Sequence, residues 1–453
     1  MAQDRTARRR IWGWWFFDWA SQPYSTLLLT FVFSIYFAEV ARTRFIAEGM
    51  AAPAAGARAQ ALWSGGLAVA GVLIALLAPV LGAIADTTGR RMLWIWLFSV
   101  LYVVGAGGLW WLTPQDGALI PALVLFGIGL IGMEFTTIFT NALLPDLGPK
   151  EEIGHISGAG FAFGYLGGVV SLIVMLALFA DNAAGVTMLG RPPAFGLDGA
   201  AREGTRFVGP LTAIWYAVFM IPFFLWVREP RLPRRPFALG ATLASLWALL
   251  RSLRHRRSLA AWLASSMFSR DALNALYGLG GVFAGGVLGW SVIQSGIFGV
   301  IAAVAAAAVS WAGGRADRRY GPKPVIIWCT LALIAVCVLV LGLSRAALFG
   351  APIGPGAANA LFYVCGAVIG GAGGALQAAS RTLMVRHTTP EKSAEAFGLY
   401  ALSGKATAFL APASISLTTS LSGSQNIGIS PLIGMFILSL ILLGWVASEG
   451  ETE

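Results

Sequence analysis

Long runs of apolar residues, separated by short polar connections, occupy most of the chain between residues 14 and 448. A helix needs about 20 apolar residues to cross a hydrocarbon core of roughly 30 Å, and these runs have that length. The pattern predicts twelve membrane-spanning helices in two six-helix bundles, and therefore an all-α membrane protein. The predicted spans are 14–38, 62–85, 92–112, 118–142, 156–180, 207–227, 259–286, 290–313, 324–344, 358–382, 395–419 and 430–448.

Composition excludes the soluble classes of protein. Of 453 residues, 57% are hydrophobic and only 11% are charged, whereas soluble domains carry about 25% charged residues. The formal net charge is +10, but the basic residues are spread between apolar runs and do not cluster on one face. No nucleic-acid partner is therefore expected. We expect a monomeric, multi-pass integral membrane protein located in a bacterial inner (plasma) membrane.

The basic residues also predict topology and domain boundaries. Most of the 31 Lys and Arg residues lie in alternate connections, and positive residues favour the cytoplasmic side, so both termini are expected to be cytoplasmic. The longest connection, 228–258, separates predicted bundles at 1–227 and 259–453. Its leucines recur at spacings of three and four beside arginines, which predicts an amphipathic helix. This helix is expected either to lie on a lipid bilayer with anionic headgroups or to pack beneath the bundle.

The most specific motif is GAIADTTGRR, between the second and third predicted spans. It contains Gly82, Asp86, Gly89 and Arg90, and a related copy surrounds Asp317 at the matching place in the second half. Glycine permits a tight turn and close helix approach, and aspartate can cap a neighbouring helix. The motif resembles the signature loop of the major facilitator superfamily. The resemblance implies a cytoplasmic gating loop that opens in each transport cycle; an ordinary connecting loop is the alternative.

Four further stretches narrow the resemblance. They are DWASQPYSTLLLTFVFSIYF from Asp18, NALLPDLGP from Asn141, GYLGG from Gly164, and LQAASRTLM with the later YALSGKATAFLAP. These stretches resemble the vacuole-effluxer-like family of that superfamily, the autophagy-related amino-acid effluxers. The resemblance implies a small polar solute, with an amino acid as the implied substrate. The chain departs from the family pattern at Ser21 and Gln22, where Asn-Ser is common.

Five ionisable residues stand out inside predicted spans, where a charge costs about 2.5–3.5 kcal/mol on insertion scales. They are Asp18, Glu134, Arg270, Asp271 and Lys405. Arg270 and Asp271 point about 100° apart on a helix, so each is expected to have a partner on another span. Asp18 and Glu134 are candidate partners of Arg270 or Lys405, and candidate proton carriers because no histidine lies in a predicted span. Purely structural ion pairs are the alternative.

Aromatic and amide side chains add candidates for a solute cavity: Trp14, Tyr24, Asn274, Tyr277 and Gln377. Pro23 is expected to open the first helix, because proline has no N–H and its ring clashes with the preceding turn. Opened backbone is tolerated at membrane depth where it lines a cavity. The same spacing of Asp, small polar residue and Tyr occurs in the first span of each half, which indicates an internal repeat.

The sequence has no nucleotide-binding loop, no catalytic triad pattern, and no Cys or His spacing typical of metal sites. No enzyme activity, metal or cofactor is therefore expected. We expect a secondary transporter of a small-molecule solute, working by alternating access and coupled to protons or to another ion. A sugar–cation symporter of the same fold is the main alternative, and a non-transporting membrane sensor is a weaker one.

Overall fold

The computed structural model of the chain describes residues 2–115, 118–182, 185–229, 253–290 and 292–450, with isolated positions 240, 244, 247, 248 and 251. Most of the amphipathic helix predicted within 228–258 lies outside these residues. Most of the described residues form helices, joined by connections of varied length. A two-stranded antiparallel hairpin, β1 (Ala347–Leu348) and β2 (Ala351–Pro352), is the one sheet among them.

Within the described residues, the first half of the chain contains nine α-helices and one π-helix. They are α1 (Ala2–Pro23), the π-helix (Tyr24–Phe31), α2 (Phe33–Ala47), α3 (Ala52–Thr88), α4 (Arg91–Gly108), α5 (Leu119–Asn141), α6 (Lys150–Leu178), α7 (Glu203–Arg206), α8 (Val208–Phe219) and α9 (Ile221–Trp226). The second half contributes α10 (Arg257–Gly286), α11 (Val292–Tyr320), α12 (Pro322–Gly342), α13 (Gly354–Arg386), α14 (Ser393–Ala406), α15 (Leu410–Ser422), α16 (Gln425–Gly428) and α17 (Ser430–Gly444).

Ten helical segments within the described residues are long and apolar enough to cross a membrane. The other two predicted spans differ for local reasons. The seventh, α10, is 30 residues long but carries six polar residues between Ser265 and Asn274. The eleventh is divided into α14 and α15, of 14 and 13 residues, by a break at 407–409. The all-α membrane fold with twelve helical spans is confirmed.

The first span does not open at Pro23, which corrects the sequence expectation. The helix continues into the π-helix and ends at Val32, whose N–H donates to the Leu27 carbonyl at 3.0 Å. Proline at 23 cannot donate to the Trp19 carbonyl four residues earlier. That carbonyl instead accepts the indole N–H of Trp215 at 3.2 Å. A neighbouring helix thus satisfies the carbonyl that proline leaves free, and the chain stays helical.

The chain divides into two compact units. Unit 1 comprises 1–77, 90–140 and 163–231, and unit 2 comprises 78–89, 141–162 and 232–453. The end of α3 and the beginning of α6 therefore group with the second half of the chain. The domain boundaries at 227 and 258 stay a prediction.

Each unit has its own packed interior. In unit 1 the Tyr102 and Tyr216 rings stack at 3.9 Å, and the Tyr216 hydroxyl pairs with Ser99 at 2.8 Å. In unit 2 a row of glycines on α13, including Gly366 and Gly370, lies directly against α11. Small residues at this contact let the two backbones approach closely.

Candidate functional site

The GAIADTTGRR motif brings the end of α3 to the beginning of α14 within unit 2. One oxygen of the Asp86 carboxylate accepts the Ala394 N–H at 3.2 Å, and the other accepts the Glu395 N–H at 2.8 Å. These N–H groups belong to the first turn of α14, where no carbonyl of the same helix is available. A carboxylate at a helix N-terminus is also favoured by the helix dipole. Asp86 therefore caps α14.

Two glycines of the motif make this cap possible. A side chain at position 82 would overlap the carbonyl of Ala394, so only glycine lets α3 approach α14 this closely. Gly398, one turn further along α14, lies against α3 in the same way, because a Cβ there would be 2.5 Å from the Ala78 carbonyl oxygen. Gly89 has a φ of +59°, which suits glycine and ends the α3 turn.

The two arginines of the motif lie in different surroundings. Arg90 is exposed. Arg91, the next residue, is fully buried in unit 1, and its backbone N–H meets the Glu229 carboxylate. The packed arginine of the loop is therefore Arg91, which the sequence analysis did not select.

The second copy of the motif is built differently. Asp317 on α11 is 2% exposed and lies against Gly154 of α6. Neither oxygen of its carboxylate has a hydrogen-bond partner in the described part of the chain. The nearby Thr382 hydroxyl instead donates to the Ala378 carbonyl at 3.2 Å. Gly154 is the fifth residue of α6, beyond the unpaired N–H groups of the first turn, so Asp317 caps none of the described helices.

A buried arginine that the sequence analysis missed also lies in unit 2. Arg381 of α13 is 3% exposed and donates from Nε to the Ser157 hydroxyl at 3.0 Å and from Nη2 to the Ser157 carbonyl at 2.9 Å. Its Nη1 donates to Asn141 Oδ1 at 3.1 Å, and its guanidinium lies 4.3 Å over the Phe161 ring. Arg381 thereby joins α13 to α6 and to the end of α5. Its position inside the predicted span 358–382 was the signal that could have revealed it.

In unit 1, two of the proposed cavity residues are core residues. Trp14 is fully buried, and its indole N–H donates to the Thr140 carbonyl at 2.9 Å. Tyr24 is also fully buried, and its hydroxyl donates to the Phe126 carbonyl at 2.6 Å. Both polar atoms are used to join the first span to α5. The expectation that these two side chains line a cavity is therefore corrected.

The two acids of unit 1, Asp18 and Glu134, are half-buried on α1 and α5. The Asp18 backbone lies against Gly164 of α6, where a Cβ would be 3.1 Å from the Asp18 carbonyl oxygen. This close approach explains the glycine in the GYLGG stretch.

In unit 2, Arg270 and Asp271 reach different helices, as two adjacent helical residues must. Asp271 is 2% exposed and accepts the Ala411 N–H at 3.0 Å, so it caps α15 at the break in the eleventh span. Arg270 donates to the Tyr400 carbonyl at 2.7 Å, with its guanidinium 4.3 Å over the Tyr400 ring. Arg270 thus has a partner on α14 within unit 2, and the pairing of Arg270 or Lys405 with Asp18 or Glu134 stays a prediction.

A second cation lies at the same break. Lys405 is half-buried in the last turn of α14, where a positive charge complements the carbonyl end of the helix. The Arg270 guanidinium lies against Gly404, at which any side chain would collide with it. The Thr407 hydroxyl follows within the break and is buried with no hydrogen-bond partner among the described residues. Two cations and a hydroxyl therefore surround the break.

Two of the three remaining candidates of unit 2, Tyr277 and Gln377, meet at one segment of α13. Asn274 and Tyr277 are exposed on α10. The Tyr277 hydroxyl lies against Gly373, and Gln377 donates to the Gly373 carbonyl at 3.4 Å. These polar side chains lie within unit 2, on α10 and α13, the helices of the seventh and tenth predicted spans.

Comparison with known proteins decides the family. A family model described as "Vacuole effluxer Atg22 like" matches residues 6–452 of the chain. The chain belongs to this family. The Atg22-like chain is 23% identical over 442 residues to the uncharacterized MFS-type transporter YxiO of Bacillus subtilis, covering 97% of this chain and 95% of YxiO. It is 22% identical over 304 residues to Autophagy-related protein 22 of Cryptococcus neoformans, covering 65% of this chain and 53% of that protein.

Solved structures show the same fold. The proton:xylose symporter XylE matches with a TM-score of 0.71 at 13% identity, covering 99% of this chain and 97% of XylE. The human organic anion transporter MFSD10 matches with a TM-score of 0.69 at 17% identity, covering 96% of this chain and 99% of MFSD10. The Atg22-like chain is thus a multi-pass membrane transporter of the major facilitator superfamily and not an enzyme.

Proposed function

We propose that this Atg22-like transporter moves a small solute that carries a carboxylate, with an amino acid as the favoured substrate, and couples its movement to protons. The observation that carries the proposal is the break in the eleventh span. Arg270 and Lys405 lie beside it, and the Thr407 hydroxyl is buried there with no hydrogen-bond partner in the described part of the chain. Guanidinium and ammonium groups bind carboxylates through charge-assisted hydrogen bonds, and a hydroxyl adds a donor.

Asp271 already caps the helix that begins at the break. The N-terminus of α15 would otherwise attract an anion, but the Asp271 carboxylate already occupies it. An incoming carboxylate would therefore be drawn to Arg270 and Lys405 instead of to the helix end. Discontinuous helices near the centre of a membrane are a recurrent place for solute and ion binding in transporters.

The proposed proton carriers are Asp18 and Glu134, which are half-buried in unit 1. A carboxylate in a partly dehydrated site can take up a proton on one side of the membrane and release it on the other as its surroundings change. The Asp86 cap on α14 is the contact that we propose to break as the solute site changes sides. The proposal includes cytoplasmic termini, a bacterial inner membrane and a monomer.

Counterflow into proteoliposomes tests the substrate class. Vesicles loaded with an unlabelled mixture of amino acids should accumulate labelled amino acid, and vesicles loaded with sugars should not accumulate labelled sugar. Lys405→Gln should weaken the apparent affinity for amino acid at least tenfold, since one charge-assisted contact is lost. Lys150→Gln, at an exposed position that begins α6, is the matched control and should leave counterflow unchanged. Sugar counterflow without amino-acid counterflow would establish the sugar–cation alternative.

Proton coupling is tested separately with an imposed pH gradient. Asp18→Asn and Glu134→Gln should abolish uphill accumulation while leaving solute exchange partly intact, because exchange needs no net proton movement. Accumulation that persists in both variants would show that these acids carry no protons.

A further inference from the structure

We propose that Glu395, at the beginning of α14, is a proton-binding site, which holds a proton while Asp86 caps α14 and releases it when α3 and α14 separate. The inference rests on the proposed alternating-access function, but it concerns a different acid from Asp18 and Glu134. It places one protonation event at the motif contact, away from the solute site.

Burial without a partner is the first observation. Glu395 is 7% exposed, and its Oε1 atom has no hydrogen-bond partner within the described residues. No ion pair of Glu395 is present among them either. A charged carboxylate that is buried and unpaired is strongly unfavourable, and a bound proton removes that charge. The neutral acid is therefore the form that fits this position.

The like charge of Asp86 is the second observation. Both oxygens of Asp86 accept backbone N–H groups of α14, which favours the charged form of Asp86. One of these donors is the N–H of Glu395 itself. When two carboxylates share a site, one of them takes the proton. Because Asp86 accepts both N–H groups and is stabilised in its charged form, Glu395 is the carboxylate that binds the proton.

The other groups around Glu395 do not neutralise it. A small pocket of about 20 Å³ is bordered by Glu395, Lys392, His387, Thr388, Thr389 and Arg256. Both ring nitrogens of His387 are engaged, Nδ1 with the Leu383 carbonyl at 2.9 Å and Nε2 with the Ser258 hydroxyl at 2.7 Å. Arg256 donates to the His387 carbonyl at 3.2 Å. Lys392 is exposed on the preceding turn. The pocket has room for about one water molecule, which gives a proton access to Glu395.

The sign of the pH effect follows from this arrangement. The packed form of the contact binds the proton, and the separated form exposes Glu395 to water and releases it. Acid therefore stabilises the packed form, and rising pH favours separation. One linked proton changes the equilibrium by at most about tenfold per pH unit.

Hydrogen–deuterium exchange of the full-length protein in lipid nanodiscs tests the proposal. The first turns of α14 should lose protection as pH rises, after correction for the intrinsic pH dependence of exchange. Glu395→Gln, a neutral mimic of the protonated acid, should remain protected at every pH. Glu391→Gln, on the exposed turn before α14, is the matched control and should follow the wild type. Equal loss of protection in Glu395→Gln and in the wild type would overturn the proposal.

A second measurement covers the case in which Glu395→Gln fails to fold. Infrared difference spectra of the wild type should contain a protonated-carboxyl band, which disappears at high pH together with the protection of α14. Glu395→Asp keeps a titratable group and should retain the coupled loss. A band that is absent when α14 is fully protected would contradict the assignment. Neither measurement needs solute, so failure of the counterflow and pH-gradient tests can be told apart from failure of this proposal.

Discussion

Replacing Asp86 with Asn tests whether the cap on α14 holds the two helices together. The carboxylate accepts N–H groups of Ala394 and Glu395 at 3.2 and 2.8 Å. Asn keeps one carbonyl oxygen, so one hydrogen bond to a charged group and the charge–dipole attraction are lost. These are worth about 2–3 kcal/mol together. At 1.4 kcal/mol for each factor of ten, separation of α3 from α14 should become roughly 30- to 150-fold more frequent.

Alkylation of a cysteine at position 394 measures this separation. Ala394 is fully buried beside the cap, so Ala394→Cys should react only when the contact opens, in a background with Cys329, Cys337 and Cys365 replaced by alanine. Asp317→Asn is the matched control, because Asp317 accepts no hydrogen bond within the described residues and its loss should change labelling by less than about threefold. Equal labelling rates in Asp86→Asn and the parent protein would refute the cap as a determinant of the contact.

Three further predictions concern contacts within unit 2. Gly158→Val should prevent α6 from packing on α11, since even a Cβ at 158 would lie 2.5 Å from the Ser310 carbonyl oxygen. The melting temperature should fall by several degrees, and an unchanged melting temperature would contradict this packing. Arg381→Lys keeps the charge but loses the three-point contact and should lower the melting temperature more than Arg345→Lys at an exposed position. Asp271→Asn should cost about 1 kcal/mol by weakening the α15 cap, and hydrogen exchange confined to α15 would detect it.

The transmembrane pattern could be predicted from the sequence because hydrophobic length alone selects a helix in a bilayer. The fifth predicted span, 156–180, corresponds to α6 (Lys150–Leu178), and the ninth, 324–344, to α12 (Pro322–Gly342). The family resemblance was confirmed because its motifs are local. The motif glycines at 82 and 89 were interpretable for the same reason, since a turn and a close approach depend on few residues.

The partners of buried polar groups could not be predicted, because they depend on helices far apart in the chain. The sequence shows a proline at 23 but not the Trp215 indole that satisfies the freed carbonyl of Trp19. The sequence shows a charged Arg270, but not that its guanidinium donates to the Tyr400 carbonyl and packs over the Tyr400 ring. Glu395 lies at the edge of a predicted span, where a charged residue is ordinary. The structure shows that Glu395 is buried where α3 packs on α14 through the Asp86 cap.

The two halves share a scaffold and differ in chemistry. In unit 1 the glycine at 164 admits the backbone of Asp18, and in unit 2 the glycine at 404 admits the Arg270 guanidinium, so the first and fifth spans of each half meet at matching glycines. In the first half of the chain, however, the fifth span α6 is a single helix of 29 residues, whereas in the second half the fifth span breaks and its second part is capped by Asp271. Close backbone approach needs glycine at fixed places in both halves. The groups that these glycines admit differ between the halves, and in the second half two cations lie at the break.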